Sequence, residues 1–149
     1  MNAYINEFII KSKNILELGC GDGLSLSSMG KQFPDKSFTG IDINAIAIAN
    51  AKLKIDSLPN LNFYCINIFE NDQVLEKYDL ILSHDTFVLF SFDMKKKMIE
   101  ILLSHLNTGG NLIINDFNHK VLLSNALGNL ARFKMNRVFY FLWLYIKEG

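Results

Sequence analysis

Short unbroken apolar runs alternate along this chain with longer stretches in which apolar residues recur at helical spacing, the pattern of a parallel sheet covered by helices. It predicts strands at about 14–19, 37–42, 61–66, 78–83 and 110–116. Between them, 23–33 reads as a helix ended near Pro34, 44–57 as an Ala/Ile-rich helix begun by an Asn44 cap, and 93–107 as a helix closed by Gly109 and Gly110. Residues 1–11 read as a short leading helix with Tyr4, Phe8 and Ile9 on one face. Right-handed crossovers place such helices on both faces, so the expected class is α/β: a doubly wound, mostly parallel sheet in three αβα layers. No internal repeat, low-complexity tract or linker divides the chain, and one domain over 1–149 is expected.

Composition narrows the function. Half of the 149 residues are hydrophobic and 20% are charged, enough apolar surface to offset ordering entropy. The 15 basic and 15 acidic residues cancel, removing the usual electrostatic case for a nucleic-acid partner. The balance is uneven, however: Lys120, Arg132, Lys134, Arg137 and Lys147 against Glu148 give residues 117–149 a charge of +4, leaving −4 on the rest. Cys20 and Cys65 have no zinc or disulfide spacing, so no metal is expected, and reduced thiols point to the cytoplasm. The N-terminus does not read as a secretory signal. The longest apolar run, Val138 to Ile146, is well short of the roughly 20 residues of a membrane-spanning helix, and no transmembrane segment is expected.

The candidate chemistry starts where the first strand meets its helix. Ile15-Leu16-Glu17-Leu18-Gly19-Cys20-Gly21-Asp22-Gly23 is a strand running into a glycine-rich turn, where the chain must bend sharply and a ligand can approach the backbone. Asp42 closes the next strand, and a carboxylate there can accept both hydroxyls of a ribose held over the turn. Together these mark a site for a nucleoside-type cofactor. Dinucleotide sites use GxGxxG; here the spacing is GxGxG, with Leu24 following, which argues against NAD or FAD. Glu17 would repel a pyrophosphate but suits a ligand carrying an ammonium and a sulfonium group.

Four runs, ELGCGDG at 17–23, FPDKSFTGIDIN at 33–44, YDLILSHDTF at 78–87 and LNTGGNLIINDF at 106–117, resemble in order and spacing the successive motifs of class I S-adenosylmethionine-dependent methyltransferases, a Rossmann-like family. The resemblance covers about residues 14–117. It implies S-adenosylmethionine as cofactor and S-adenosylhomocysteine as product. Gly19, Gly21 and Gly23, with Cys20 between them, would let the backbone approach the cofactor, and Glu17 would support its methionine end. Asp42 would bind the ribose hydroxyls and Ile43 would pack on the adenine. Asn67, followed by Ile68, falls where the family usually has an acidic residue accepting from the adenine amino group; this is a departure, though an amide oxygen can also accept. Ser83 would lend backbone to the methionyl portion, with His84 beside it on the substrate side.

His84 and Asp85 sit at the strand edge where such sheets place ligands, and each is open to two readings: a base, or a polar rim or capping group. Asp116 and His119 read more simply as a solvated loop, His105 as a residue favouring a helix dipole, and Lys95-Lys96-Lys97 as a solvated helix face. A dedicated base is optional, because the enzyme mainly aligns a nucleophile with an activated methyl group and excludes water. The expected reaction is methyl transfer to a small acceptor, an apolar one included. Two alternatives stand beside it: a non-catalytic domain of this fold that binds or regulates a partner, and, disfavoured by the glycine spacing, an NAD(P)-dependent oxidoreductase.

After Asp116 the family continues through a helix and a closing antiparallel strand pair. Here 33 residues remain, read as a helix at about 119–131 and the Val138–Ile146 run, so the strand pair is expected to be incomplete. Either the chain is a fragment, or the sheet has lost its end, or the tail packs unusually. The aromatic run itself reads first as core, then as a cover for a lipophilic substrate, or as a surface for a partner, a second copy or a membrane.

Overall fold

The computed structural model describes residues 3–53, 58–72, 75–116 and 119–124. Helix α1 (Ala3–Lys11) leads into strand β1 (Asn14–Leu18), followed by α2 (Leu24–Gln32), β2 (Ser37–Asp42), α3 (Ala45–Leu53), β3 (Leu61–Cys65), the short α4 (Ile68–Asn71) and β4 (Tyr78–His84). A 3-10 turn at Phe87–Leu89, α5 (Phe92–Ser104), β5 (Leu106–Asp116) and β6 (His119–Ser124) complete the described chain. The strands form one sheet in the order β3-β2-β1-β4-β5-β6; the first five run parallel and β6 runs antiparallel to β5.

Strand alternation divides the core in two, because successive side chains point to opposite faces. Ile15, Phe38, Phe63, Leu80, Leu82 and Ile113 meet Ile5 and Ile9 of α1, Leu26 and Met29 of α2, and Ile48 and Ala51 of α3. Leu16, Ile41, Ile81, Leu112 and Ile114 point the other way, onto Phe87 and onto Met98 and Leu102 of α5. The three-layer, Rossmann-like architecture follows from this division. Each such side chain, fully buried, contributes about 1.5–3 kcal/mol.

Local chemistry sets the element ends. The Asn44 Oδ1 accepts from the amides of Ile46 (3.0 Å) and Ala47 (3.2 Å), capping α3 as its sequence predicts. At the edge of the sheet where β1 begins, Asp79 Oδ2 accepts from the amides of Lys13 (2.9 Å) and Asn14 (3.1 Å), while its Oδ1 accepts from Asn107 Nδ2 (2.7 Å). That carboxylate ties β4 to the start of β1 and to β5. At the opposite edge, the chain leaves β1 toward β2 on one side and leaves β4 toward β5 on the other; the crevice between these two exits is where sheets of this class hold ligands.

Three expectations need correction. The helix expected over 93–107 stops at Ser104, with His105 as its C-cap, and Gly109 and Gly110 do not close it but lie inside β5. There the register slips: Tyr78 pairs with Leu106 but Leu80 with Asn111, and Gly109 takes up the excess at φ 81. His119–Ser124, expected as the start of a helix, is a strand, because the backbone donors and acceptors along β5 beyond β4 are satisfied by antiparallel pairing from Asn111↔Ser124 to Asp116↔His119. Asp116 and His119 are accordingly strand residues, not members of a loop. Residues 125–131 and the Val138–Ile146 run lie outside the described residues. Among the described residues no helix is long and apolar enough to cross a membrane, and no cluster of three or more His, Cys, Asp or Glu could hold a metal ion.

Candidate functional site

The glycine turn leaves the C-terminal end of β1, and its three glycines serve different neighbours. Gly19, at φ 72, lies where a Cβ would sit 2.0 Å from Thr86 Oγ1. Gly23, also at φ 72, would drive a Cβ into the Phe63 ring and Ala51, so it sets the close approach of α2 to β3 and α3. Gly21, at φ 54, has nothing within 4 Å of its Cβ position. Of the three, only Gly21 turns an open backbone face outward.

Asp42 ties the turn to the end of β2. Its Oδ2 accepts from the Gly21 amide at 2.9 Å and its Oδ1 from the Asn44 amide at 2.8 Å. Each oxygen uses one acceptor direction in this way and keeps another. The next residue, Ile43, is 69% exposed, a large apolar side chain beside a half-buried carboxylate.

Glu17, two residues before the turn, is 2% exposed, and its Oε1 lies 3.0 Å from His84 Nδ1. Its Oε2 is buried with no hydrogen-bond partner among the described residues. Sequence reasoning put Glu17 and His84 separately into the site and missed this pairing, although β1 and β4 as neighbouring strands were its signal. Ser83 is fully buried, in register with Leu18 on one side and Ile114 on the other, and its Oγ too has no partner among the described residues. Asp85 is exposed and held at φ 51, a left-handed conformation that non-glycine residues rarely adopt and that clusters at functional sites. Thr86, absent from the expected set, donates its hydroxyl toward Leu18 O (3.3 Å) and His84 O (3.0 Å), filling the space that Gly19 leaves. The missing Cβ at Gly19 was the only sign of it in the sequence.

On the far side, Asn67 follows β3 and caps α4: its Oδ1 accepts from the Phe69 amide at 3.2 Å and its Nδ2 donates to Glu70 Oε1 at 2.8 Å. Ile68 behind it is buried. Cys20 lies under the turn, where burial first, and then the negative charges of Glu17 and Asp42, push its thiol up to about 12. It is therefore a neutral packing group and not a nucleophile. The structure thus joins Glu17 to His84, Gly21 to Asp42, and Gly19 to the chain after β4. His105, read as structural, is the C-cap of α5, and its Nδ1 lies 3.1 Å from Glu76 O.

Comparison with known proteins agrees with this geometry. A family model described as a methyltransferase domain matches residues 9–141. Over 110 residues the chain is 36% identical to malonyl-[acyl-carrier protein] O-methyltransferase 1 of Ilyobacter polytropus, a match covering 74% of this chain and 40% of that protein. It is 31% identical over 142 residues to ribosomal RNA small subunit methyltransferase C of Erwinia tasmaniensis, covering 83% of this chain and 39% of that one. Among solved structures it is similar to the plantazolicin methyltransferase BpumL in complex with SAH, with a TM-score of 0.66 and 33% identity over 77% of this chain and 43% of that chain. The chain spans about 40% of the length of these curated relatives.

Proposed function

Because the chain belongs to the class I S-adenosylmethionine-dependent methyltransferase family, we propose that it binds S-adenosylmethionine at the glycine turn and directs methyl transfer to a small acceptor with an apolar portion. The observation that carries the cofactor site is the turn itself: an open backbone face at Gly21, tied by its amide to a carboxylate that retains acceptor capacity. The residues fit the cofactor part by part. Asp42 would hold the ribose hydroxyls and Ile43 would lie on the adenine. The Asn67 amide oxygen, which caps α4, would need its second acceptor direction for the adenine amino group, with Ile68 packing behind. Glu17, with a buried oxygen that lacks a donor, would face the amino-acid end, alongside the backbone of Gly19, Cys20, Gly23 and Ser83.

When bound, S-adenosylmethionine supplies a methyl group on a positively charged sulfur, already activated for transfer. What this chain must add is alignment and a dry site. Val88, Leu89, Phe92 and Met94 are exposed where the chain leaves β4, and they would hold the apolar part of an acceptor while displacing water. For an oxygen or nitrogen acceptor, the candidate proton acceptors are His84 and Asp85, of which Asp85 is the exposed one. The equal numbers of basic and acidic residues weigh against a ribosomal RNA acceptor. Reduced cysteines support a cytoplasmic setting.

Calorimetric titration with S-adenosylmethionine and S-adenosylhomocysteine tests the cofactor site. Saturable binding is expected, weakened about tenfold or more in Asp42→Ala, where charge-assisted hydrogen bonds are lost. Absence of binding by a demonstrably folded chain would defeat the proposal. Methyl transfer from labelled cofactor to a panel headed by malonyl-acyl carrier protein and apolar hydroxylated compounds then addresses the acceptor; transfer only to hydrophilic acceptors would remove the apolar portion of the proposal.

A further inference from the structure

The pairing of Glu17 with His84 carries a consequence for how the site works. A carboxylate that is 2% exposed needs its lone pairs answered, and here one oxygen is answered by His84 Nδ1 at 3.0 Å while the other, Oε2, is buried without a partner among the described residues. A carboxylate on a flexible glutamate stem has several rotamers, and the contact to β4 selects one of them. With Oε1 committed across the β1–β4 strand pair, Oε2 is the oxygen left to meet a hydrogen-bond donor or cation at the turn. We infer that His84 is a positioning residue, holding the Glu17 carboxylate so that Oε2 receives the ammonium group of an amino-acid-bearing ligand. This rests on the cofactor reading above, and it gives His84 a role besides that of candidate proton acceptor: through Nδ1 it acts by way of Glu17 on the amino-acid end of the cofactor, while Asp42 serves the ribose.

A ligand that shares the nucleoside but lacks the amino-acid end cannot sense the position of Oε2, so ligands with and without that end respond differently to its displacement. The probes are S-adenosylhomocysteine and 5′-methylthioadenosine, titrated into the full chain by calorimetry. Replacing His84→Leu removes the ring donor and is expected to weaken S-adenosylhomocysteine about tenfold, the scale of one hydrogen bond to a charged group, while 5′-methylthioadenosine changes less than about twofold. Replacing His84→Asn places an amide donor near the position of Nδ1 and is expected to restore most of the loss. Glu17→Gln should show the same ligand-selective loss as His84→Leu, and the double variant should lose no more than the worse single one. Thermal melts establish that each variant is folded, and a merely structural role for His84 would weaken both ligands alike.

Equal losses for the two ligands, additive losses in the double variant, or unchanged S-adenosylhomocysteine binding in a folded His84→Leu each overturn the positioning role while leaving the cofactor site standing. Failure of the unmodified folded chain to bind either ligand overturns the cofactor reading, and this inference with it.

Discussion

The three glycines of the turn look equivalent in the sequence, yet the structure assigns them different work, and replacing two of them by alanine separates stability from binding. At Gly19 an added Cβ meets two costs. The backbone is at φ 72, where an L side chain costs about 1–2 kcal/mol, and the Cβ would lie 2.0 Å from Thr86 Oγ1 and 2.9 Å from its Cγ2, an overpacking worth about 1–3 kcal/mol. Gly19→Ala should therefore lose about 2–5 kcal/mol, a large part of the roughly 5–15 kcal/mol that holds a domain folded. At Gly21 only the first cost applies, since nothing lies within 4 Å of the new Cβ. Gly21→Ala should lose about 1–2 kcal/mol, but it sets a methyl group on the open face and should weaken S-adenosylhomocysteine at least tenfold. Urea denaturation followed by circular dichroism reads stability, and calorimetry reads binding. Thr86→Ala removes both the hydroxyl and the methyl that Gly19→Ala would strike, so the double variant should recover part of the stability lost by Gly19→Ala alone. Equal destabilisation at the two glycines, or wild-type ligand affinity in a folded Gly21→Ala, would refute this division of labour.

Two further outcomes follow from groups elsewhere in the sheet. Burial works to raise the Asp79 carboxyl, but the donors Asn107 Nδ2 and the amides of Lys13 and Asn14 outweigh it and hold it below its ordinary value. A carboxyl depressed in the folded state stabilises in full above its unfolded value of about 3.9, and that share is lost as pH falls through the lower folded value; Asp79→Asn should cost about 1–2 kcal/mol at pH 7 and flatten the acid limb of the stability profile, and an unchanged acid limb would count against the clamp. With the Cys20 thiol pushed up to about 12 and buried, while Cys65 is exposed, an aromatic disulfide reagent at pH 8 should titrate one thiol per native chain and two in denaturant; two fast-reacting thiols in the native chain would contradict the packing under the turn.

Much of the fold was legible because it is written in periodicity. The runs at 14–19, 37–42 and 78–83 are largely buried on both faces, the one at 61–66 lies at the sheet edge with only Leu61 and Phe63 buried, and the four correspond to β1 through β4 within a residue or so. Asn44 announced its helix through a side chain that can do little else there so well. What was not legible depends on pairing. Gly109 and Gly110 look like a helix terminator in one dimension, and only the register slip against β4 makes them strand residues. Likewise, the segment beginning at His119 carries apolar residues compatible with a helix, and the unpaired edge of β5 decides for a strand. In the site, residue types were readable and partnerships were not: Glu17 and His84 are 67 positions apart, and Thr86 enters only because Gly19 makes room for it.

The charge around the turn bears on which nucleotide it can hold. Glu17, Asp42 and Asp22 all act on the Cys20 thiol in the same direction, each raising it after burial has done so first, and a field that disfavours a thiolate disfavours any anion at that spot. A pyrophosphate held over this turn would face the same carboxylates, and the first glycine-bounded turn of α2 could not offset them, since a helix end contributes only about half a unit charge. A cofactor carrying an ammonium and a sulfonium meets the opposite situation: the carboxylates attract it, and on the proposed reading the buried Glu17 Oε2 would gain a partner, which it lacks among the described residues. Fluorescence titration with NADH should accordingly show no saturable binding at concentrations that saturate S-adenosylhomocysteine. Raising the salt should narrow the gap in affinity between S-adenosylmethionine, with net charge +1, and zwitterionic, net-neutral S-adenosylhomocysteine, because the sulfonium charge that distinguishes them is screened. Saturable NADH binding displaced by S-adenosylhomocysteine would show that these carboxylates do not govern ligand charge, and with that the electrostatic case for the cofactor would fall.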